Sequence, residues 1–230
     1  MKLIKILPNF LTILNGLCGT LAILGISMNL ATPFQILFLV LTGALLDFLD
    51  GYFAKILNVK SKIGAQLDSL SDLITFSLVP SFFIFDFLQS KSNELDFLPF
   101  LFILIVPFSM IRLARFNSLP SKSYFLGLPT PANGIFFMGI PFLSIDIKNE
   151  FLVVILIISC FLLVSNIKLE SFKKNSEKTG KNVFYVIMTV LLILTILTLF
   201  FLNYPLLNLI SLSVVVYLFS SFIFNFYKSF

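Results

Sequence analysis

Apolar runs of membrane-crossing length, separated by short polar breaks, fill this chain from end to end and leave it one class of fold. A helix that crosses a bilayer needs about 20 predominantly apolar residues. On that ruler the sequence reads as eight spans, at 8–28, 33–57, 63–88, 97–117, 131–145, 151–167, 183–202 and 206–227. The fifth and sixth are short and also read as one broken hairpin. Asn29 with Pro33, the polar stretch 89–96, the connection holding Pro120, Gly127, Pro129 and Pro131, the charged stretch 170–182 and the turn 203–205 mark the breaks. Only 12% of residues are charged and 58% are hydrophobic, where soluble domains carry about 25% charge. So little charge cannot cover a water-facing surface. The expected fold is all-α, a polytopic transmembrane helix bundle.

The basic residues orient it, because lysine and arginine gather in cytoplasmic loops. With the N-terminus inside and the spans alternating, all 16 basic residues except Lys91 and Lys148 fall on the cytoplasmic side. The far side also takes Asp86, Glu94, Asp96, Asp146 and Glu150. The expectation is N-in and C-in, and the net charge of +5 becomes a membrane-surface feature. A nucleic-acid partner would want a basic soluble face, and none is present. The first apolar run follows Lys2 and Lys5 but has no small-residue cleavage site before Asn29, so it reads as a retained span. Cys18 and Cys160 lie in apolar runs and read as buried structural thiols. With no histidine in the chain, imidazole bases and His-ligated zinc are excluded.

Within this apolar chain, residues 45–73 hold four aspartates. Asp47 and Asp50 are three apart on the second span, and Asp68 and Asp72 are four apart on the third. Each pair therefore shares a helix face. The turn between the spans lies near Asn58 and Lys62, so an antiparallel hairpin brings both faces together close to the cytoplasmic surface. One aspartate at mid-bilayer costs about 2.5–3.5 kcal/mol, and like charges in contact disfavour one another's ionisation. Either some of the four are protonated or cations hold them. An all-oxygen ligand set suits Mg2+ or Mn2+, and two divalent ions balance four carboxylates. Metals that clamp attacking and leaving oxygens serve phosphoryl chemistry. Gly51 and Ala54 leave room beside the same helix, Gly64 permits close approach at the start of the third span, and Lys55 adds a cation suited to phosphate.

The spacing Asp47-x-x-Asp50-Gly51-x-x-Ala54-Lys55, eight residues, Gly64-x-x-x-Asp68-x-x-x-Asp72 resembles the signature of the CDP-alcohol phosphotransferase family. One position departs: the family usually has arginine where this chain has Lys55, which keeps the charge but loses the bidentate fork. The resemblance implies transfer of a phosphoryl-linked group from a CDP-linked lipid or alcohol to a hydroxyl, with release of CMP. It implies Asp47, Asp50 and Asp68 as principal metal ligands and Asp72 as general base, with a metal contact as well. Gly51 and Ala54 would border the cytidine and Lys55 the diphosphate. Family members are often homodimers.

Three further stretches narrow the acceptor. Pro8-Asn9-x-x-Thr12-x-x-Asn15-x-x-x-Gly19 resembles the first span of the serine-using members, with Thr12 and Asn15 facing the nucleotide cleft. RLARFN at 112–117 and GLPTPANG at 127–134 resemble the integral-membrane, serine-using branch, which implies CDP-diacylglycerol and L-serine as substrates and phosphatidylserine as product. The resemblance covers about residues 1–170, an expected catalytic core, and leaves 171–230 as two additional C-terminal spans of one membrane domain. Arg112 and Arg115 are three apart and expected to face the same way. They read either as partners of the serine carboxylate or as snorkelling contacts to lipid phosphates. Asn117, Thr130 and Asn133 are further acceptor candidates. Other acceptors, namely glycerol 3-phosphate or inositol phosphate, and an archaeal ether lipid in place of diacylglycerol are the alternatives within the family. Outside it, a cation transporter is the alternative, since intramembrane carboxylates mark ion paths.

Overall fold

Helix ends in this chain are written by asparagine, proline and threonine. The computed structural model describes residues 6–59, 61–91, 97–118, 124–145, 147–170 and 178–228. Helix α1 (Leu7–Ser27) carries Pro8 in its first turn, where a missing N–H costs nothing. Helix α2 (Pro33–Ile56) opens on a capping box: the Gln35 amide N–H donates to the Thr32 hydroxyl, and the Thr32 amide donates to the Gln35 side chain. Asn29, Asn58 and Asn203 take positive φ of 52°, 52° and 54°, the left-handed conformation that stops a helix and that asparagine tolerates.

Helices α3 (Lys62–Leu73) and α4 (Val79–Lys91) are one 30-residue rod interrupted by a π-helical turn at Ile74–Leu78. Pro80 has no N–H to give the Phe76 carbonyl, and the ladder shifts: the Val79 amide donates to Ile74, five residues back. A 3-10 segment, Leu98–Leu104, leads into α5 (Ile105–Ser118). Then follow α6 (Thr130–Gly139), α7 (Asn149–Val164), α8 (Lys178–Phe201) and α9 (Leu209–Lys228).

The chain is a multi-pass membrane protein. Among the described residues, five helices are long and apolar enough to cross a bilayer: Leu7–Ser27, Pro33–Ile56, Lys62–Lys91, Leu98–Ser118 and Leu206–Phe224. Asn149–Val164 and the apolar part of α8, Ile187–Phe200, are shorter. Where the sequence reads a fifth span at 131–145, α6 has only 10 residues and a 3-10 turn at Ile140–Phe142, about 15 Å of helix. It is wedged inside, with Thr130, Asn133, Gly134, Phe137 and Met138 all buried. Most of the expected loops 89–96 and 170–182, and Pro120, lie outside the described residues.

One element departs from the all-helical expectation. Strands β1 (Tyr124–Leu126) and β2 (Lys168–Glu170) pair antiparallel, Phe125 opposite Leu169, and tie the entry of α6 to the exit of α7. Gly127 closes this clasp. Its φ is +73°, and a Cβ there would lie 2.5 Å from the Leu163 carbonyl oxygen.

Helix α1 turns its polar and small residues into the bundle and its apolar ones outward, as close helix packing in lipid favours. On α1, Phe10, Ile13, Leu17, Leu21 and Leu24 are exposed, while Thr12, Asn15, Gly16 and Gly19 are buried. An aliphatic and aromatic core centred on Val40, Phe76 and Phe83 joins α1, α2 and the long rod. A second, around Phe102, Phe137 and Leu156, joins α4 to α7. Cys160 is buried there, as expected; Cys18 is only half-buried, and both thiols are free.

Candidate active site

Small and hydroxyl side chains on α1 set how the aspartate helices meet. The Ser71 hydroxyl donates to the Thr12 carbonyl (2.8 Å) and the Thr75 hydroxyl to the Asn15 carbonyl (3.0 Å). A Cβ on Gly19 would sit 2.6 Å from the Thr75 hydroxyl and 2.9 Å from its Cα, so α1 touches the rod backbone to backbone. On the other flank the Thr12 hydroxyl donates to the Asp50 carboxylate (2.5 Å). One residue of α1 therefore holds both α2 and α3 in register.

With that register, carboxylate oxygens of Asp47, Asp50 and Asp68 lie within 4.8 Å of one another. Asp50 is buried; Asp47 and Asp68 are half-buried. Three convergent carboxylates form an all-oxygen donor set that fits a divalent hard cation. Asp72 is not part of this trio. It lies one helical turn beyond Asp68, is 7% exposed, and its Oδ1 makes no hydrogen bond among the described residues. Asp47, Asp68 and Arg112 are all within Coulombic range of it.

The residues expected around a nucleotide are distributed less evenly. Gly51 faces open space, with nothing within 4 Å of where its Cβ would be. Ala54 is half-buried and Lys55 exposed, both on the same helix end. Gly64 is approached by Asn9 of α1: a Cβ would meet its Oδ1 at 2.9 Å. The Gly64 amide also donates to Ser61, which caps α3. Thr12 is buried and bonded to Asp50. Asn15 is fully buried, deeper in the bundle, and both ends of its amide lack hydrogen bonds among the described residues.

Of the acceptor candidates, Arg112 is buried and donates from one terminal nitrogen to the Thr130 hydroxyl (2.8 Å). Its Nε makes no hydrogen bond among the described residues. Arg115 does not face the same way. It donates to the Val164 carbonyl and to the Asn166 side chain (2.7 Å), capping the C-terminal end of α7, where a cation is favourable. Asn117 donates to Ser69 (2.9 Å), the neighbour of Asp68. Asn133 is fully buried with both amide atoms unpaired among the described residues.

A family model described as CDP-alcohol phosphatidyltransferase matches residues 5–222, nearly the whole chain. The chain belongs to the CDP-alcohol phosphatidyltransferase family. Among curated members it is 36% identical over 178 residues to the CDP-diacylglycerol--serine O-phosphatidyltransferase of Bacillus subtilis, covering 75% of this chain and 94% of that one. It is 31% identical to the protein of the same name from Methanocaldococcus jannaschii, over 73% of this chain and 74% of the relative. The Mycobacterium tuberculosis protein of that name is 30% identical over 60% of this chain, which spans about half (49%) of that longer relative.

In this CDP-alcohol phosphatidyltransferase family member, several residues that pack around the aspartate cluster carry no distinctive mark in the sequence. Ser71 and Thr75 read as ordinary polar content of a span, although their spacing from Asp68 and Asp72 places them on the α1 side of the rod. Gly43 of α2 makes room for Asn15, whose Oδ1 would lie 2.8 Å from a Cβ there. Gly134 lets α6 rest on the backbone of Phe76, whose carbonyl oxygen would lie 2.6 Å from a Cβ there.

Proposed function

We propose that this chain transfers the phosphatidyl group of CDP-diacylglycerol to the hydroxyl of L-serine, giving phosphatidylserine and CMP. The observation that carries the reading is the meeting of three carboxylates from two helices beside a fourth, buried one. Curated relatives with the printed name CDP-diacylglycerol--serine O-phosphatidyltransferase support the choice of lipid donor and acceptor.

In this reading Asp47, Asp50 and Asp68 hold the divalent cation, Mg2+ or Mn2+, and with Asp72 balance a second. The ions, when bound, draw charge from the diphosphate oxygens and stabilise the negative charge that develops there. The chain's own residues do the rest. Thr12 fixes the Asp50 carboxylate by donating to one of its oxygens. Gly51 and Ala54 leave a flat berth for the cytidine, and Lys55 places its ammonium near the diphosphate. Asp72 accepts the proton of the serine hydroxyl through Oδ1, which makes no hydrogen bond among the described residues. The serine oxygen then bonds to the lipid-side phosphorus, the bond from that phosphorus to the bridging oxygen breaks, and CMP leaves. Arg112 takes the serine carboxylate, while Thr130 holds its guanidinium in place. The distribution of basic residues supports a cleft that opens to the cytoplasm from the cell membrane. The family resemblance supports a homodimer, and in this reading residues 1–170 carry catalysis with the last two spans as additions.

An acceptor comparison tests this. Protein in mixed micelles with CDP-diacylglycerol should release CMP with serine, and far more slowly with glycerol 3-phosphate or inositol. Equal or faster release with either of those would overturn the serine assignment.

A further inference from the structure

Helices α5 and α6 run antiparallel where they pack. Arg112 near the end of α5 meets Thr130 at the start of α6. Ten residues earlier, just before α5, Phe102 packs edge-on against Phe137 of α6, ring centres 5.8 Å apart. Between these two contacts lie Ser109, one turn before Arg112, and Asn133, one turn after Thr130. Opposed helices bring those two residues to the same level. The long rod forms the third wall, because Gly134 rests against the backbone of Phe76, one turn beyond Asp72.

Polar atoms at this level are buried and unused. Ser109 and Asn133 are both 0% exposed. The Ser109 hydroxyl, both atoms of the Asn133 amide, Arg112 Nε and Asp72 Oδ1 make no hydrogen bond among the described residues. Buried polar groups in native structures are nearly always paired, and leaving them unpaired is costly in a lipid-facing bundle. Four side chains on three helices sharing that condition fit a polar ligand that enters between them. A carboxylate, a guanidinium and a pair of neutral oxygens are the partners that a small molecule with a hydroxyl, a carboxylate and an ammonium on neighbouring carbons would take. A cation in such a place is best met by neutral oxygens, since a further carboxylate would compete for Arg112.

We propose that Ser109 and Asn133 form the ammonium-binding floor of the acceptor pocket. A small zwitterionic amino alcohol is held with its ammonium on the Ser109 hydroxyl and Asn133 carbonyl oxygens, its carboxylate on Arg112 and its hydroxyl at Asp72. This rests on the serine reading above, adds Ser109 and gives Asn133 a specific role, and the two discriminate serine from hydroxy acids of the same length.

The test uses full-length protein in mixed micelles with CDP-diacylglycerol and divalent metal. Serine is compared with 3-hydroxypropionate, which is serine without its ammonium, read as substrate or competitor. Ser109→Ala removes one oxygen and should raise the KM for serine about tenfold or more. The KM for CDP-diacylglycerol, the apparent affinity for 3-hydroxypropionate and the Tm should stay unchanged. Asn133→Ala should act in the same direction on serine alone. Wild-type serine kinetics in Ser109→Ala, or an equal loss for serine and 3-hydroxypropionate, would overturn the ammonium site while leaving serine as acceptor. A wild-type protein that forms no phosphatidylserine would overturn both readings.

Discussion

Arg112 and Arg115, three residues apart on one helix end, are bonded to different parts of the bundle. Arg112 reaches inward to Thr130 at the start of α6, and Arg115 reaches sideways to Val164 and Asn166 at the end of α7. The sequence offers both arginines the same two roles, serine-carboxylate partner or lipid-phosphate contact, and the structure gives each a different neighbour. Arg112→Ala should raise the KM for serine about tenfold or more, the scale of a lost hydrogen bond to a charged group, with little change for CDP-diacylglycerol. Arg115→Ala should leave the serine KM near wild type and lower stability by about 1 to 2 kcal/mol, seen as a lower Tm in detergent. A serine-specific KM defect in Arg115→Ala with an unchanged Tm would reverse the assignment.

Thr12 holds Asp50 by hydrogen bond and α3 through its own carbonyl. Thr12→Ala removes only the first contact. The metal concentration for half-maximal activity should rise about tenfold, and Thr12→Ser, which keeps the hydroxyl, should restore it. A metal titration identical to wild type in Thr12→Ala would separate this hydroxyl from the carboxylate trio.

Asp72 has a carboxylate oxygen without a protein partner among the described residues. Asp72→Asn keeps the shape but cannot take a proton from the acceptor. Turnover should fall by about a hundredfold or more, while CDP-diacylglycerol binding, measured at equilibrium, stays close to wild type. Normal turnover in this variant would remove Asp72 from the role of base.

Gly19 lies against Thr75 with no room for a methyl group. Gly19→Ala forces α1 away from the rod and should destabilise by about 1–3 kcal/mol, with activity falling as Thr12 loses register with Asp50. An unchanged Tm with full activity would show that the two helices need not touch here.

Much of this site was legible because its information is local. Asp47 with Asp50, and Asp68 with Asp72, share faces through helical periodicity alone, and one short turn between their helices brings the faces together. The Thr12, Asn15 and Gly19 stripe is legible for the same reason. What the sequence hides depends on distant partners. Arg115 turns away from Arg112 because the end of α7, some fifty residues later, offers it a carbonyl. The π turn after Asp72 follows from Pro80, but an isolated proline inside an apolar run does not reveal which way the ladder will slip. The β1–β2 clasp is three residues long on each side, too short for an alternating pattern to stand out. Ser109 lies in an apolar stretch, and only the antiparallel packing of α5 on α6 sets it level with Asn133.

The central claim is that carboxylates from α2 and α3 jointly grip a divalent cation and that catalysis depends on it. Its most direct test is serine-dependent CMP release from CDP-diacylglycerol by the purified protein, before and after chelation and after return of Mn2+ or Mg2+. The account predicts release that stops on chelation, returns with the ion, and cannot be restored at any ion concentration in Asp68→Ala. Full-rate release from thoroughly chelated protein, or an Asp68→Ala variant with an ordinary metal titration, would contradict it.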